Sequence, residues 1–249
     1  LSHWASAAIF VLVFGAPLAW LTRLAMLSRP VAGAENAHEW YPPGRLLAHA
    51  AVAVAAGLVL LGLIIAYDPQ RLVEEMTAAM VEWLAGSAMT LQPPSAAEIE
   101  PFVRLNVAVM PLMVGFLALA MVILDLWLAA LVTRASGRLR RPRERLWLVA
   151  LPNGIVAGFA AAVPLAFLPG AIGNAAAVFV GALGGAVALV GLAVLHALTA
   201  GMTGRIVVLT ITYALVVVSG LPLALLAMLG IGESFFHFRA RRFGGTPRQ

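Results

Sequence analysis

The sequence contains no cysteine and no lysine, and charged residues make up only 11% of its 249 positions. Without cysteine there is no disulfide framework, no thiol nucleophile and no thiolate metal site. Without lysine, the formal charge of +5 rests on arginine alone. So few charges cannot clothe a soluble globular domain. Signature motifs are missing as well: no Walker A sequence, no HExxH, no GxSxG, and no pair of carboxylates within an apolar run. An enzyme is therefore not expected, nor any metal or other cofactor. Residues 2–27 lack the basic start and small-residue cleavage site of a signal peptide. The sequence opens on Leu1 rather than methionine, and an upstream portion is expected.

What is present is apolar. Hydrophobic residues reach 62%, and a hydrocarbon core about 30 Å thick needs about 20 of them per helix. The runs predict an all-α, polytopic helical membrane protein, a single integral-membrane domain with about six spans, at 5–27, 46–67, 102–132, 146–168, 172–199 and 206–229. Pro42 and Pro43 cannot continue a helix from upstream but can open the second span. Pro111 and Gly115 are candidate kink points in the third. The spacings Gly154/Gly158 and Gly181/Gly185 suit close helix packing inside the protein. Between the second and third spans, Leu72, Met76, Met80 and Trp83 recur at helical spacing opposite Arg71, Glu75 and Glu82. This predicts an interfacial helix over about 70–84, too short to cross.

Charge orients these segments. The loop Arg134–Arg145 reads RASGRLRRPRER, and so basic a short loop is expected on the cytoplasmic side. The connector from Arg23 to Arg45 then also lies inside, and the acidic interval from Asp68 to Arg104 outside. Six crossings would put the basic tail, with Arg239, Arg241, Arg242 and Arg248, outside, against the same rule. Trp40, Tyr41, Arg138, Arg140, Arg141, Arg239 and Arg241 are expected as membrane-interface anchors. A pI near 10.9 does not imply nucleic acid, because the arginines cluster at helix ends. The expected partners are the lipid bilayer and other membrane subunits. All-arginine usage with abundant alanine and glycine points to a high-GC bacterium, hence a multi-pass protein of the bacterial inner (cytoplasmic) membrane.

An ionisable residue inside a span is a functional candidate by default. Asp125 is the one acid well inside a span, about 13 Å along its helix from Arg134. Asn153, His196, Thr210 and Tyr213 fall at comparable depth on the predicted topology. The five are candidates for a shared ligand-binding cavity. The alternative is structural: Asp125 bonded to Asn153 or snorkelling to the interface, and His196 capping its helix end.

Four stretches carry a resemblance: WYPPGR (Trp40–Arg45), SGRLRRP (Ser136–Pro142), GLAVLHALTAG (Gly191–Gly201) and GIGESFFHFRARR (Gly230–Arg242). Together they resemble the YybS-like bacterial membrane proteins, domain-of-unknown-function family 2232, across essentially the whole chain. Glu233 stands where aspartate is expected, and Asp125 where asparagine is. The family has no established activity. It is grouped distantly with the substrate-binding components of energy-coupling-factor transporters, small helical proteins that bind a vitamin or metal and dock on an ATPase module. The resemblance implies a transporter-like fold with further hydrophobic segments upstream. Two functions follow as expectations: a substrate-binding, transporter-like membrane protein without its own ATPase, or a non-transporting accessory or scaffold subunit. A polar cavity between the third, fifth and sixth spans would favour the first; a filled core with an outward stripe of small residues would favour the second.

Overall fold

The computed structural model describes residues 7, 10–31, 38–86, 94–142 and 149–243. Among these, the chain is helical apart from one small ribbon. Residues 10–15 form a π-helical turn that leads into α1 (Ala16–Ala25). Pro17 has no amide to bond the Val13 carbonyl, and its ring crowds that oxygen, so the turn before it widens. The connector then folds as a hairpin of β1 (Ser28–Pro30) and β2 (His38–Trp40), with Arg29 opposite Glu39. That pair forms a 2.7 Å ion pair in the open. The start of the expected first span at 5–6 and the start of the fourth at 146–148 lie outside the described residues, as do Arg143, Arg145 and Arg248.

Helix α2 (Pro43–Ile64) opens on Pro43, as the prolines predict. Helix α3 (Pro69–Ala85) is capped by Asp68, whose carboxylate accepts from the Gln70 amide at 2.9 Å. Its buried stripe is Val73 and Thr77, flanked by half-buried Met80 and Leu84, and it packs on Ile99, Val103 and Val107. The expected apolar face is thus rotated: Met76 and Trp83 are exposed, because the face that pairs with the next helix is one position away. Glu75 and Glu82 are exposed, as expected.

That next helix, α4 (Ala96–Ala135), has 40 residues and runs unbroken through Pro101 and Pro111. At about 60 Å it exceeds the hydrocarbon core twofold. Its N-terminus is held by Glu98, which accepts from the Ser95 amide at 2.7 Å. Helix α5 (Asn153–Leu165) is shorter than the expected span. Pro152 both fixes the start and keeps the preceding residue extended. Helix α6 (Gly170–Leu198) is the centre of the bundle, packed by α2, α4 and α5.

The sixth expected span is not one helix. It is divided into α7 (Arg205–Ser219) and α8 (Leu221–Phe236) by Gly220, whose φ of 67° is left-handed. Gly220 ends α7 and Pro222 opens α8. Tyr213 of α7 meets His196, so α7 runs back along α6. Gly230 of α8 then lies on Val187 and Gly191, and Arg242 beyond it reaches the Ala200 carbonyl. Helix α8 therefore runs parallel to α6 and returns to the end from which α7 left. His237, at φ 50°, turns the chain into the short α9 (Phe238–Phe243).

Three helices, α2, α4 and α6, are long and apolar enough to cross a membrane. Long-range hydrogen bonds gather the arginine-bearing connections at one end of the bundle. Arg141 donates to the carbonyls of Ala25 and Tyr41, and Arg239 to that of Val149. Every described arginine except Arg71 and Arg104 belongs to that end, whereas the acidic α3 and the first turns of α4 lie at the other.

Helices α6 and α8 meet backbone to backbone: a methyl group at Gly191 would overlap the Leu226 carbonyl oxygen, and one at Gly230 that of Val187. Gly158, mid-way along α5, has only the Leu183 side chain nearby, at ordinary contact distance. Gly191→Ala should therefore destabilise the protein by about 1–3 kcal/mol, while Gly158→Ala should stabilise it by about 0.5–1 kcal/mol. Thermal melts of the two purified variants check this; equal shifts would show that the α6–α8 contact is not as close as described.

Candidate functional site

The turn after α6 positions the site. Thr199 closes the helix by donating its hydroxyl to the Leu195 carbonyl at 2.8 Å. Gly201, at φ 80°, helps reverse the chain into α7. His196 in the last turn of α6 then faces Tyr213, with Nε2 3.0 Å from the phenolic oxygen. The rings meet edge to face, centroids 6.0 Å apart. The tautomer of His196 decides which of the two donates. Arg205, the first residue of α7, lies near enough for its charge to bear on His196. Along α7, Arg205, Leu209, Thr212 and Val216 are the half-buried positions, one helical stripe facing inward.

Beneath the histidine–tyrosine pair lies a cavity of about 140 Å³ between α4, α6, α7 and α8. Leu119, Ala188, Leu192, Val216, Leu223 and Leu226 are among its walls, with Tyr213 at one side. The space is partly open rather than enclosed, and its apolar walls suit an apolar group rather than water. This space lies between the third, fifth and sixth expected spans, but its lining is apolar rather than polar.

A second feature secures the hairpin from behind. Glu233 on α8 is 5% exposed and Arg239 on α9 is 2% exposed. Arg239 Nε donates to Glu233 Oε1 at 2.9 Å, its backbone amide to Oε2 at 3.3 Å, and Nη1 to the Val149 carbonyl at 2.8 Å. The left-handed His237 between them folds the arginine back onto the acid. Desolvating both charges is costly, and the three hydrogen bonds offset that cost.

Of the five expected site residues, the structure unites His196 and Tyr213. Asp125 is exposed on α4 and makes no hydrogen bond or ion pair among the described residues. The buried stripe of α4 passes through Leu119 and Val122 to half-buried Leu126. Asp125 sits one residue, about 100°, off that line. Asn153 is exposed at the first position of α5, and Thr210 is exposed on α7 between the inward Leu209 and Thr212. The expected cluster of Asp125 and Asn153 with the histidine is therefore corrected to a pair. Helical phase, not depth, separates them.

The expected anchors divide too. Arg138, Arg140 and Arg241 are exposed, and Trp40 and Tyr41 half-buried beside the ribbon. Arg239 is no surface anchor but a buried ion-pair partner, and Arg141 is half-buried, tying two backbone carbonyls. Sequence reading missed the Glu233–Arg239 pair. Its signal, an acid six residues before an arginine at a helix end, is meaningful only once the reversal at His237 is known. Among the described residues, no three His, Asp or Glu side chains converge as a metal ion would require. Comparison with known proteins gives no match, whether to a family model, a curated protein or a solved structure.

Arg239→Met alone should cost about 3–5 kcal/mol, because it strands a buried carboxylate. Adding Glu233→Leu should restore most of that loss. Denaturation of the single and double variants in one detergent checks the sign, and a double variant no better than the single would refute the pairing. Asp125→Leu should raise the melting temperature, since an exposed carboxylate in the apolar stretch of α4 carries a cost that reaches about 2.5–3.5 kcal/mol at a span's centre.

Proposed function

We propose that this chain is a non-catalytic, transporter-like binding protein of the bacterial cytoplasmic membrane, and that its ligand is apolar and enters beneath the α7–α8 hairpin. The observation that carries this reading is the apolar cavity under the half-exposed Tyr213. A vitamin-like polar substrate is not favoured, for want of polar lining. The glycines bear on the alternative. Gly115, Gly181, Gly191 and Gly230 all contact backbone atoms of neighbouring helices within the chain. These are used in internal packing, whereas Gly154, expected to pack inside, is exposed on α5 with Ala157 and Ala161, and that outward stripe of small residues is what supports the scaffold alternative. The resemblance to YybS-like proteins agrees with a binding role, although the ligand inferred here differs from a vitamin or metal.

Orientation follows from charge. With the arginine end in the cytoplasm, α1, α2, α4, α5 and α6 cross, and the α7–α8 hairpin enters and leaves on the cytoplasmic side. Five crossings in place of six put Arg239, Arg241 and Arg242 inside, where the loop arginines already are, and the conflict over the tail disappears. Irregular backbone at membrane depth, as at Gly220, is tolerated where protein covers it.

Because the chain has no cysteine, single introduced cysteines report sidedness directly. In intact cells Glu82→Cys should react with an impermeant thiol reagent, while Arg138→Cys and Arg241→Cys should stay protected until the membrane is opened. A reactive Arg241→Cys beside a protected Arg138→Cys would restore the sixth crossing and sink the hairpin arrangement. For the ligand, Ala188→Phe should fill the cavity and abolish binding of a hydrocarbon-chain probe with the fold retained. Unchanged binding would place the ligand elsewhere.

A further inference from the structure

Arg205 is half-buried on the inward stripe of α7, and its guanidinium has no hydrogen bond or ion pair among the described residues. A guanidinium in that position wants a bidentate anionic partner. It is the top of a line that continues through Tyr213, hydrogen-bonded to His196, to Val216 at the cavity. From Arg205 to Val216 is 11 residues of helix, hence about 16 Å. One leaflet of hydrocarbon is about 15 Å deep, half of the 30 Å core. The feature is thus a charged group at headgroup level, polar hydroxyl and imidazole groups below it, and an apolar slot one acyl-chain length down.

Resting on the cavity reading above, we infer that this line is a site for one anionic phospholipid of the arginine-side leaflet, its phosphate at Arg205 and one acyl chain along α7 into the cavity. Charge complementarity selects the occupant. The neighbouring Arg242, whose guanidinium reaches the Ala200 carbonyl, adds positive charge beside the line, and each basic group near a membrane surface favours anionic lipid. Two glycines matter to the fit. Gly185 leaves room at the cavity wall, where a methyl group would press on the Phe116 and Leu119 side chains. Gly220 ends α7 at the foot of the slot, so the chain terminus meets the hairpin tip.

The test uses the whole chain, delipidated in a neutral detergent and titrated with phosphatidylglycerol, phosphatidylcholine of the same chains, or the matching free fatty acid. Binding is read as the rise in melting temperature. Phosphatidylglycerol should bind at least tenfold more tightly than phosphatidylcholine. Arg205→Gln should reduce phosphatidylglycerol to the phosphatidylcholine level and leave phosphatidylcholine unchanged. Arg241→Gln, which removes an equal charge from the exposed surface, should keep the preference. Ala188→Phe should weaken both phospholipids. Equal affinities in the parent chain, or an effect of Arg241→Gln as large as that of Arg205→Gln, would overturn the headgroup site while the cavity reading stands. A fatty acid that matches phosphatidylglycerol in affinity and in Arg205 dependence would overturn the phospholipid as occupant. Phospholipid shifts untouched by Ala188→Phe would overturn the cavity reading itself.

Discussion

Backbone-to-backbone packing around α6 is the constraint on which the rest depends. In hydrocarbon, apolar side chains gain little by leaving lipid for protein, so helix association relies on close van der Waals approach. Alanine and glycine along α6 permit that approach: Gly181 meets Leu112, Gly191 meets Leu226, and Gly115 and Gly230 complete the two contacts from the other side. Ala182, Ala186 and Val194 on the same helix are wholly buried. Once α4 and α8 are fixed on α6 in this way, the cavity between them is fixed as well. Helix α7 is held less directly, as the bridge from the end of α6 to the start of α8.

The second organising principle is the separation of charge between the two ends. Arginines lie in or beside the described connections at one end, and two of them, Arg141 and Arg239, are used structurally by donating to backbone carbonyls. Acids dominate the opposite end, where Asp68 and Glu98 begin helices. An acid at a helix start satisfies amides that have no partner within the helix. Acids at one end thus begin helices, while arginines at the other satisfy backbone carbonyls, that of Ala25 at the end of α1 among them.

Much of this was legible in the sequence, and the losses have specific causes. Apolar length located α2, α4 and α6, proline chemistry placed the start of α2, and the 3.6-residue period located α3. The phase of α3 was misread because Met76 and Trp83 are larger than Val73 and Thr77, yet the smaller pair fits against α4. The break at Gly220 had its signal in the run Ser219-Gly220-Leu221-Pro222, but an apolar run on both sides reads as one span. Depth along a helix can be counted from sequence, so the level of Asp125 was clear. Its direction was not, because that depends on which face α6 occupies. The His196–Tyr213 pair was within reach of sequence as two polar residues at one level. The Glu233–Arg239 pair was not, since a left-handed histidine leaves no mark in composition or periodicity.

The unequal anchoring of the hairpin has a mechanical consequence. Helix α8 is clamped by glycine contacts and by the buried ion pair behind it, whereas α7 has no fully buried residue. A wall held so differently on its two sides will yield on one side only. Swinging α7 about Gly220 would break the single hydrogen bond between His196 and Tyr213 while every backbone contact of α6 with α8 survived. The expected motion is thus a lateral door facing the lipid, hinged at Gly220 and latched at the cavity wall by Tyr213. Faster amide exchange in α7 than in α8 would be its signature, and equal protection of the two helices would argue for a closed, static wall.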